Sequence, residues 1–600
     1  MKAAIRYRVS VLDPRQHLYG VTLEIDAAAA RQRLSLPVWI PGSYLVREFS
    51  QHLQKLQASV GDQPVPLRQL DKNSWEARLP AGGNPSTLQL SYEVYAFDAS
   101  VRTAFLDGQR GFFNPTSLCL RVHDREDEPQ RLELIDNEYT AGWQVATSLS
   151  PIRIDARGFG RYQAADYDEL ADCPFELGRF WSGGFEVRGV PHRLVVSGAG
   201  DFADCGQLLR DTQRICETEI AFWHPDGGQP PFGHYLFLLH ATQDGYGGLE
   251  HRNSTALVCQ RSDLPRRAAL PDAEQTAGGQ ASEGYTTLLG LISHEYFHTW
   301  NVKRLRPREF KRYDYDRENY TELLWFFEGF TSYYDDLLLL RAGLIDATTY
   351  LKLLSRTVNQ VLQTPGRQVQ SVAQASFDAW VKYYRVQENT PNATVSYYTK
   401  GALVALCLDL TLRAEGHASL DDVMRGLMSR CAGPMRESDL LAVLRQLGRR
   451  SYADELAAWV HGTAELPLPQ LIERHGIEWQ QEAAPLAQRL GLRVSESGGL
   501  TIKNVLRDSV AEAAGLAAGD EWLGIELPSS GAGGPQAWRV RKLDDVALYA
   551  AGHAELTALV SRDGRLLKCP LRWPASSHNV KLQRPSAPVE SGCERRWLQE

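Results

Sequence analysis

The stretch LLGLISHEYFHTWNVKRL, residues 288–305, decides how the rest of the chain is read. If it is helical, His294 and His298 stand four residues apart on one face, one turn above the other. Two imidazoles so placed bind a single Zn²⁺. Glu295, on the neighbouring edge, reaches a water beside the metal without ligating the metal itself. Leu288, Leu289, Leu291, Ile292 and Phe297 give this helix the apolar surround of a buried catalytic element. A chain of this length and composition carries H-E-x-x-H by chance about 2% of the time, so the motif needs support from elsewhere.

That support lies downstream, in LLWFFEGFTSYYDD (323–336). Zinc in a catalytic site takes three protein ligands and leaves a fourth position for water. Glu328 is a lone carboxylate among Trp325, Phe326, Phe327 and Phe330, where an unpaired charge would cost several kcal/mol. A buried ion pair would also explain it, but metal ligation accounts for both its place and its surroundings.

The bulk properties are those of a globular protein of several domains. The chain has 600 residues, 43% of them hydrophobic and 23% charged, and a net charge of −8 with both signs interspersed. Nothing in that balance favours nucleic acid or an anionic membrane as partner. The N-terminus shows no secretory signal, and the longest apolar run, GALVALCLDLTL, is short and contains Asp409. Nine scattered cysteines without a C-x-x-C pair suit a reducing compartment, so a cytoplasmic location is expected.

Outward from the motif, the chain changes character twice. Up to about residue 170, runs such as IRYRVSVL, LYGVTLEI, STLQLSYEVYAF and QRLELI alternate apolar and polar residues between turn signals, which predicts an all-β domain of sandwich type. The apolar stretch PVWIPGSYLVREF (37–49) is expected to pack against the next domain. GFEVRGVPHRLVVSG and GHYLFLLHAT read as further strands, with a helix around 206–222 between them. From about Glu283 apolar residues recur every three or four positions over 283–302, 320–342, 348–363, 396–414 and 419–447, the mark of a helical block. The polar segment 364–395 reads as a surface or active-site loop. Short strands return from about 485, with Gly-rich breaks at SESGG and SSGAGG, before a final segment with little structure of its own.

HEYFHTWN (294–301) and WFFEGFTSYY (325–334) resemble the gluzincins, zinc peptidases with two His and one Glu ligand, and within them the glycyl aminopeptidase family. The 29 residues between His298 and Glu328 exceed the gap in peptidases resembling aminopeptidase N, and the excess is expected to loop out within 303–319. DGYGGLEHRNS (244–254) resembles the G-x-M-E-N exopeptidase motif, with His251 in place of the usual Asn. That likeness implies that Glu250 holds the substrate's free α-amine by a charge-assisted hydrogen bond, while Gly247 and Gly248 let backbone approach closely. SYYTKGALVALCLDL (396–410) resembles the Y-x-K-G-A segment, which implies that Tyr398 donates to the oxyanion, with Tyr397 the second candidate.

Residues 486–573, with S-V-A-E-A-A-G-L-A-A-G-D before a strand, resemble a bacterial PDZ domain in which Val510 replaces the usual Pro. Leu490-Gly491-Leu492 would then hold a peptide C-terminus, unless the domain only packs against its neighbour. The resemblance implies a multidomain α+β protein: an N-terminal β-sandwich-like domain (1–175), a thermolysin-like α+β catalytic domain with a helical part (176–480), a PDZ domain (486–575) and a C-terminal tail (576–600). The expected activity is that of an aminopeptidase with one Zn²⁺ per chain, acting on peptides with a free N-terminus and preferring Gly or Ala there. The alternatives are a zinc endopeptidase and a catalytically silent peptide-binding scaffold.

Overall fold

The computed structural model describes residues 4–79, 87–267, 281–528, 536–585 and 597–598; the break expected at SSGAGG lies outside them. The chain divides into two compact units, residues 1–320 with 334–345 and 427–436, and residues 321–333 with 346–426 and 437–600.

The first unit begins with an eight-stranded sheet in the order 150–154, 160–164, 130–135, 5–13, 18–25, 88–95, 53–60, 63–64. Its strands bury alternate residues, as in Ile5–Asp13, where Ile5, Tyr7, Val9 and Val11 face inward. Two four-stranded sheets contribute to the same core through Leu34, Trp75, Phe113, Phe175 and Leu177. Strand alternation in the sequence thus found the elements, while the parallel pairing of 5–13 with 130–135 is a tertiary choice it could not reveal.

The next sheet has five strands, ordered Trp181–Val187, Val190–Ser197, Tyr235–Thr242, Ser254–Gln260, Gly247–Glu250. The last is an edge strand antiparallel to its neighbour, and helix Glu283–Phe297 packs against both. That helix starts where the Ser282 hydroxyl accepts the Tyr285 N–H. The extra residues 303–319 form a short strand, Arg306–Pro307, paired with Pro434–Met435, and a turn of 3₁₀ helix. The apolar stretch 37–49 docks on this segment. Trp39 donates its indole N–H to the Asp314 carbonyl at 2.7 Å, and the Val38 N–H reaches the Tyr315 carbonyl at 2.8 Å.

The second unit is helical first, with Ala347–Leu362, Thr399–Glu415 and Glu437–Gly448. Within residues 364–395, read above as a surface or active-site loop, short helices at Pro365–Gln368, Val372–Phe377, Asp378–Trp380 and Thr390–Ala393 bury Val372, Ala375 and Trp380, with irregular chain between them. Small and polar residues hid their periodicity. A six-stranded sheet with its own core follows, built from Leu492–Ser495, Thr501–Val505, Glu521–Leu527, Gln536–Arg539, Glu555–Arg562 and Arg565–Arg572. His578–Gln583, expected in a tail, pairs as a strand with Glu478–Ala483. Helix Leu324–Arg341 runs through the division between the units, which falls after Tyr333. No helix among the described residues is long and apolar enough to cross a membrane.

Candidate metal and substrate site

His294 and His298 fall on the last turn of helix Glu283–Phe297 and its C-cap, and Glu328 on the second turn of helix Leu324–Arg341. One potential ligand atom from each of the three lies within 4.8 Å of the others. The two rings are oriented from behind. Nδ1 of His298 is 2.7 Å from the Asn301 carbonyl oxygen, which only accepts, so that nitrogen carries the proton. Nδ1 of His294 is 3.0 Å from the Asp335 carboxylate, which fixes the same tautomer. Both rings then turn their Nε2 atoms toward each other, 3.1 Å apart. Two imidazole nitrogens and a carboxylate converging on one point offer three ligands to a cation. The donor set is that of zinc.

Behind His294 the protein stacks carboxyls. Glu219 and Ser293 are fully buried, and the Ser293 hydroxyl lies 2.9 Å from Glu219 and 3.0 Å from the Asp335 carbonyl. Burial pushes the Glu219 carboxyl well above the usual carboxylate range, and so does Asp335 beside it. The Ser293 hydroxyl is the donor here, its one proton facing both the Glu219 carboxyl and the Asp335 carbonyl.

Glu295 is buried and lies along the edge strand. A Cβ on Gly248 would stand 2.1 Å from its Oε1, so glycine is what lets strand and carboxylate come this close. Two residues further along the strand, Glu250 is 5% exposed, and its carboxylate lies over the turn at Gly42. The buried Lys303 ammonium loses solvation, yet the Asp172 and Glu250 charges hold its pKa above the usual lysine value. His251 is occupied in the same network, with Nδ1 at 3.1 Å from Asp172, which Lys303 also contacts at 3.2 Å.

Tyr398 caps helix Thr399–Glu415. Burial pushes its phenol well above the usual tyrosine value, and the Glu328 charge adds to that. The two residues are neighbours because helices Leu324–Arg341 and Thr399–Glu415 touch at Gly329 and Gly401. A Cβ on Gly401 would stand 2.5 Å from the Trp325 carbonyl oxygen, and one on Gly329 2.5 Å from the Gly401 Cα. Tyr397 is fully buried, while the Tyr398 ring is half-buried and stacks on Tyr383 at 5.5 Å.

Three contributors escaped the sequence reading. Asp335 is seven residues after Glu328, two helical turns along the same face, so its signal was there to be used. Tyr383 stood in a segment taken for a loop. Arg102 comes from the N-terminal β-rich region, 146 residues from the glycine it touches, and no local pattern marks it.

Residues 287–404 match the family model described as M61 glycyl aminopeptidase, and residues 6–179 match that of the peptidase M61 N-terminal domain. Among solved structures, an aminopeptidase N family protein from Idiomarina loihiensis is 34% identical, with a TM-score of 0.89 over 99% of this chain and 100% of that one. An M1 zinc metallopeptidase from Deinococcus radiodurans is 15% identical, with a TM-score of 0.46 over 78% of this chain and 95% of that one. Legionella pneumophila aminopeptidase A, in complex with aspartic acid, is 11% identical, with a TM-score of 0.46 over 97% and 58% of the two chains. No curated protein sequence matches the chain.

Proposed function

The chain belongs to the family of the Idiomarina loihiensis aminopeptidase N family protein and carries M61 glycyl aminopeptidase domains, and on that premise we propose that it is a zinc-dependent aminopeptidase hydrolysing the N-terminal peptide bond. The observation that carries this reading is the convergence of His294, His298 and Glu328 on one point. These three would hold one Zn²⁺ per chain. Bound there, the ion supplies a Lewis acid that polarises the scissile carbonyl and acidifies a water.

The protein's own groups do the rest. Glu295, pressed against the edge strand, takes the proton of the attacking water and later delivers it to the leaving amine. Tyr398, whose phenol stays protonated, donates a hydrogen bond to the developing oxyanion. Glu250 accepts from the substrate's ammonium, which sets the scissile bond one residue from the N-terminus. The small N-terminal residues Gly and Ala are the preferred substrates in this reading. The six-stranded C-terminal domain is read as a PDZ domain. Edge strand Leu492–Ser495 follows Gly491, in left-handed conformation (φ 73°), and would take up a peptide C-terminus.

Turnover of glycyl and alanyl p-nitroanilides, free and N-acetylated, tests the proposal. Acetylation removes the charge and the donors that Glu250 needs, so the blocked substrates should be slower by about a hundredfold or more. Equal cleavage of blocked and free substrates would mark an endopeptidase instead. Absence of turnover by zinc-loaded protein would leave only a binding scaffold.

A further inference from the structure

The edge strand Gly247–Glu250 carries a carboxylate at one end and a guanidinium at the other. Arg102, on the loop after strand Leu88–Tyr95, is half-buried and donates from its Nη2 to the Gly248 carbonyl at 3.2 Å. Its Nη1 and Nη2 lie 3.6 and 3.9 Å from where a Cβ on Gly247 would stand. Its Nε is buried and makes no hydrogen bond. Among the described residues no carboxylate forms an ion pair with it. A guanidinium has five N–H donors, and this one spends one of them on a neutral carbonyl.

A half-buried guanidinium that pairs with no carboxylate among the described residues, on the strand against which Glu295 packs, has room for an anion that the substrate can bring. The spacing fits one. A strand rises about 3.3 Å per residue, so Gly248 and Glu250 are about 7 Å apart, and Gly247 and Glu250 about 10 Å. Extended peptides of two and three residues span about 7 and 10 Å. Glu295 packs on Gly248, within that span.

Resting on the aminopeptidase reading, we propose that Arg102 is a specificity-determining residue. It binds a carboxylate of the substrate while Glu250 holds the ammonium, which selects zwitterionic peptides of two or three residues. A carboxylate can come from the peptide's C-terminus or from an acidic side chain, and the span favours the C-terminus.

The test compares kcat/KM of the full-length, zinc-loaded protein for Ala-Ala-Ala as free acid, for its C-terminal amide and for Ala-Glu-Ala amide. The free acid should exceed the alanine amide by about tenfold to a hundredfold, mainly through KM. Arg102→Gln should bring that ratio close to one, and Arg102→Lys should keep part of it. A high rate on the Glu amide, lost in Arg102→Gln, would assign the carboxylate to a side chain and keep the charge pairing. Calorimetric binding of the same peptides to Glu295→Gln protein gives the ratio without turnover, so it decides the role of Arg102 even if no peptide is hydrolysed. Hydrolysis of none of them strikes the peptidase reading. Free acid and amide handled alike by the wild type, or slowed equally by Arg102→Gln, would overturn the inference and leave Arg102 a fastener of the strand.

Discussion

Glu295 and Asp335 both adjoin the candidate metal ligand His294, and substitution separates the roles proposed for them. If Glu295 moves protons and does not ligate, as proposed above, Glu295→Gln should keep full zinc content and lose hydrolysis. Asp335→Asn should leave the reaction steps in place but bind zinc about 10–100-fold more weakly, since a neutral amide replaces the charged acceptor that orients His294. Excess zinc should therefore restore activity to the second variant and not to the first; metal titration followed by assay checks both. On the proposed oxyanion role, Tyr398→Phe should cost about 10²–10³ in kcat with little change in KM, because such a hydrogen bond forms in the transition state. Glu328 was legible because a carboxylate among Trp325, Phe326, Phe327 and Phe330 calls for a partner, and the pairing of the two histidines because helical spacing turns local order into spatial order. Asp335 was legible by the same rule and went unread. Arg102 was not legible at all, since a contact across 146 residues leaves no local trace.

Between elements, two glycines and one histidine set the geometry. Gly401→Ala would drive a methyl into the Trp325 carbonyl and part the two helices that hold Glu328 beside Tyr398. The expected cost is about 1–3 kcal/mol in stability together with reduced zinc content, read by thermal unfolding and metal analysis. His192 braces helix Glu283–Phe297 from the sheet: the Tyr296 hydroxyl donates to its Nε2 at 2.8 Å, and its Nδ1 donates to the Val190 carbonyl. Burial pushes its pKa from 6.5 down to about 4. Between those values the unfolded chain binds the proton and the folded chain does not. The stability present above pH 6.5 is therefore lost as pH falls toward 4, by up to about 3 kcal/mol. His192→Gln should lose less stability over that window, as urea unfolding at pH 7 and pH 4.5 would show. Strands with clean alternation and helices with apolar stripes were legible here. The edge strand was not, because DGYGGLE is too rich in glycine to show a period.

Over the whole molecule, the multidomain α+β plan with a β-rich start and a helical catalytic part was readable from changes of periodicity along the chain. Pairing across sheets was not, nor was the fate of the last residues. Trp597 is fully buried and donates its indole N–H to the Tyr333 hydroxyl at 3.2 Å; that hydroxyl in turn donates to Asp409, which pairs with Arg413. Trp597→Ala should destabilise the protein by about 3–5 kcal/mol, seen as a lower melting temperature. His294, His298 and Glu328 are the residues proposed to hold one zinc. Anomalous diffraction from crystals of the purified protein, collected on both sides of the zinc edge, tests that proposal most directly. The expected result is a single zinc peak per chain within bonding distance of Nε2 of His294, Nε2 of His298 and the Glu328 carboxylate. A zinc-loaded crystal with no peak there, or with the ion held by other residues, would contradict it.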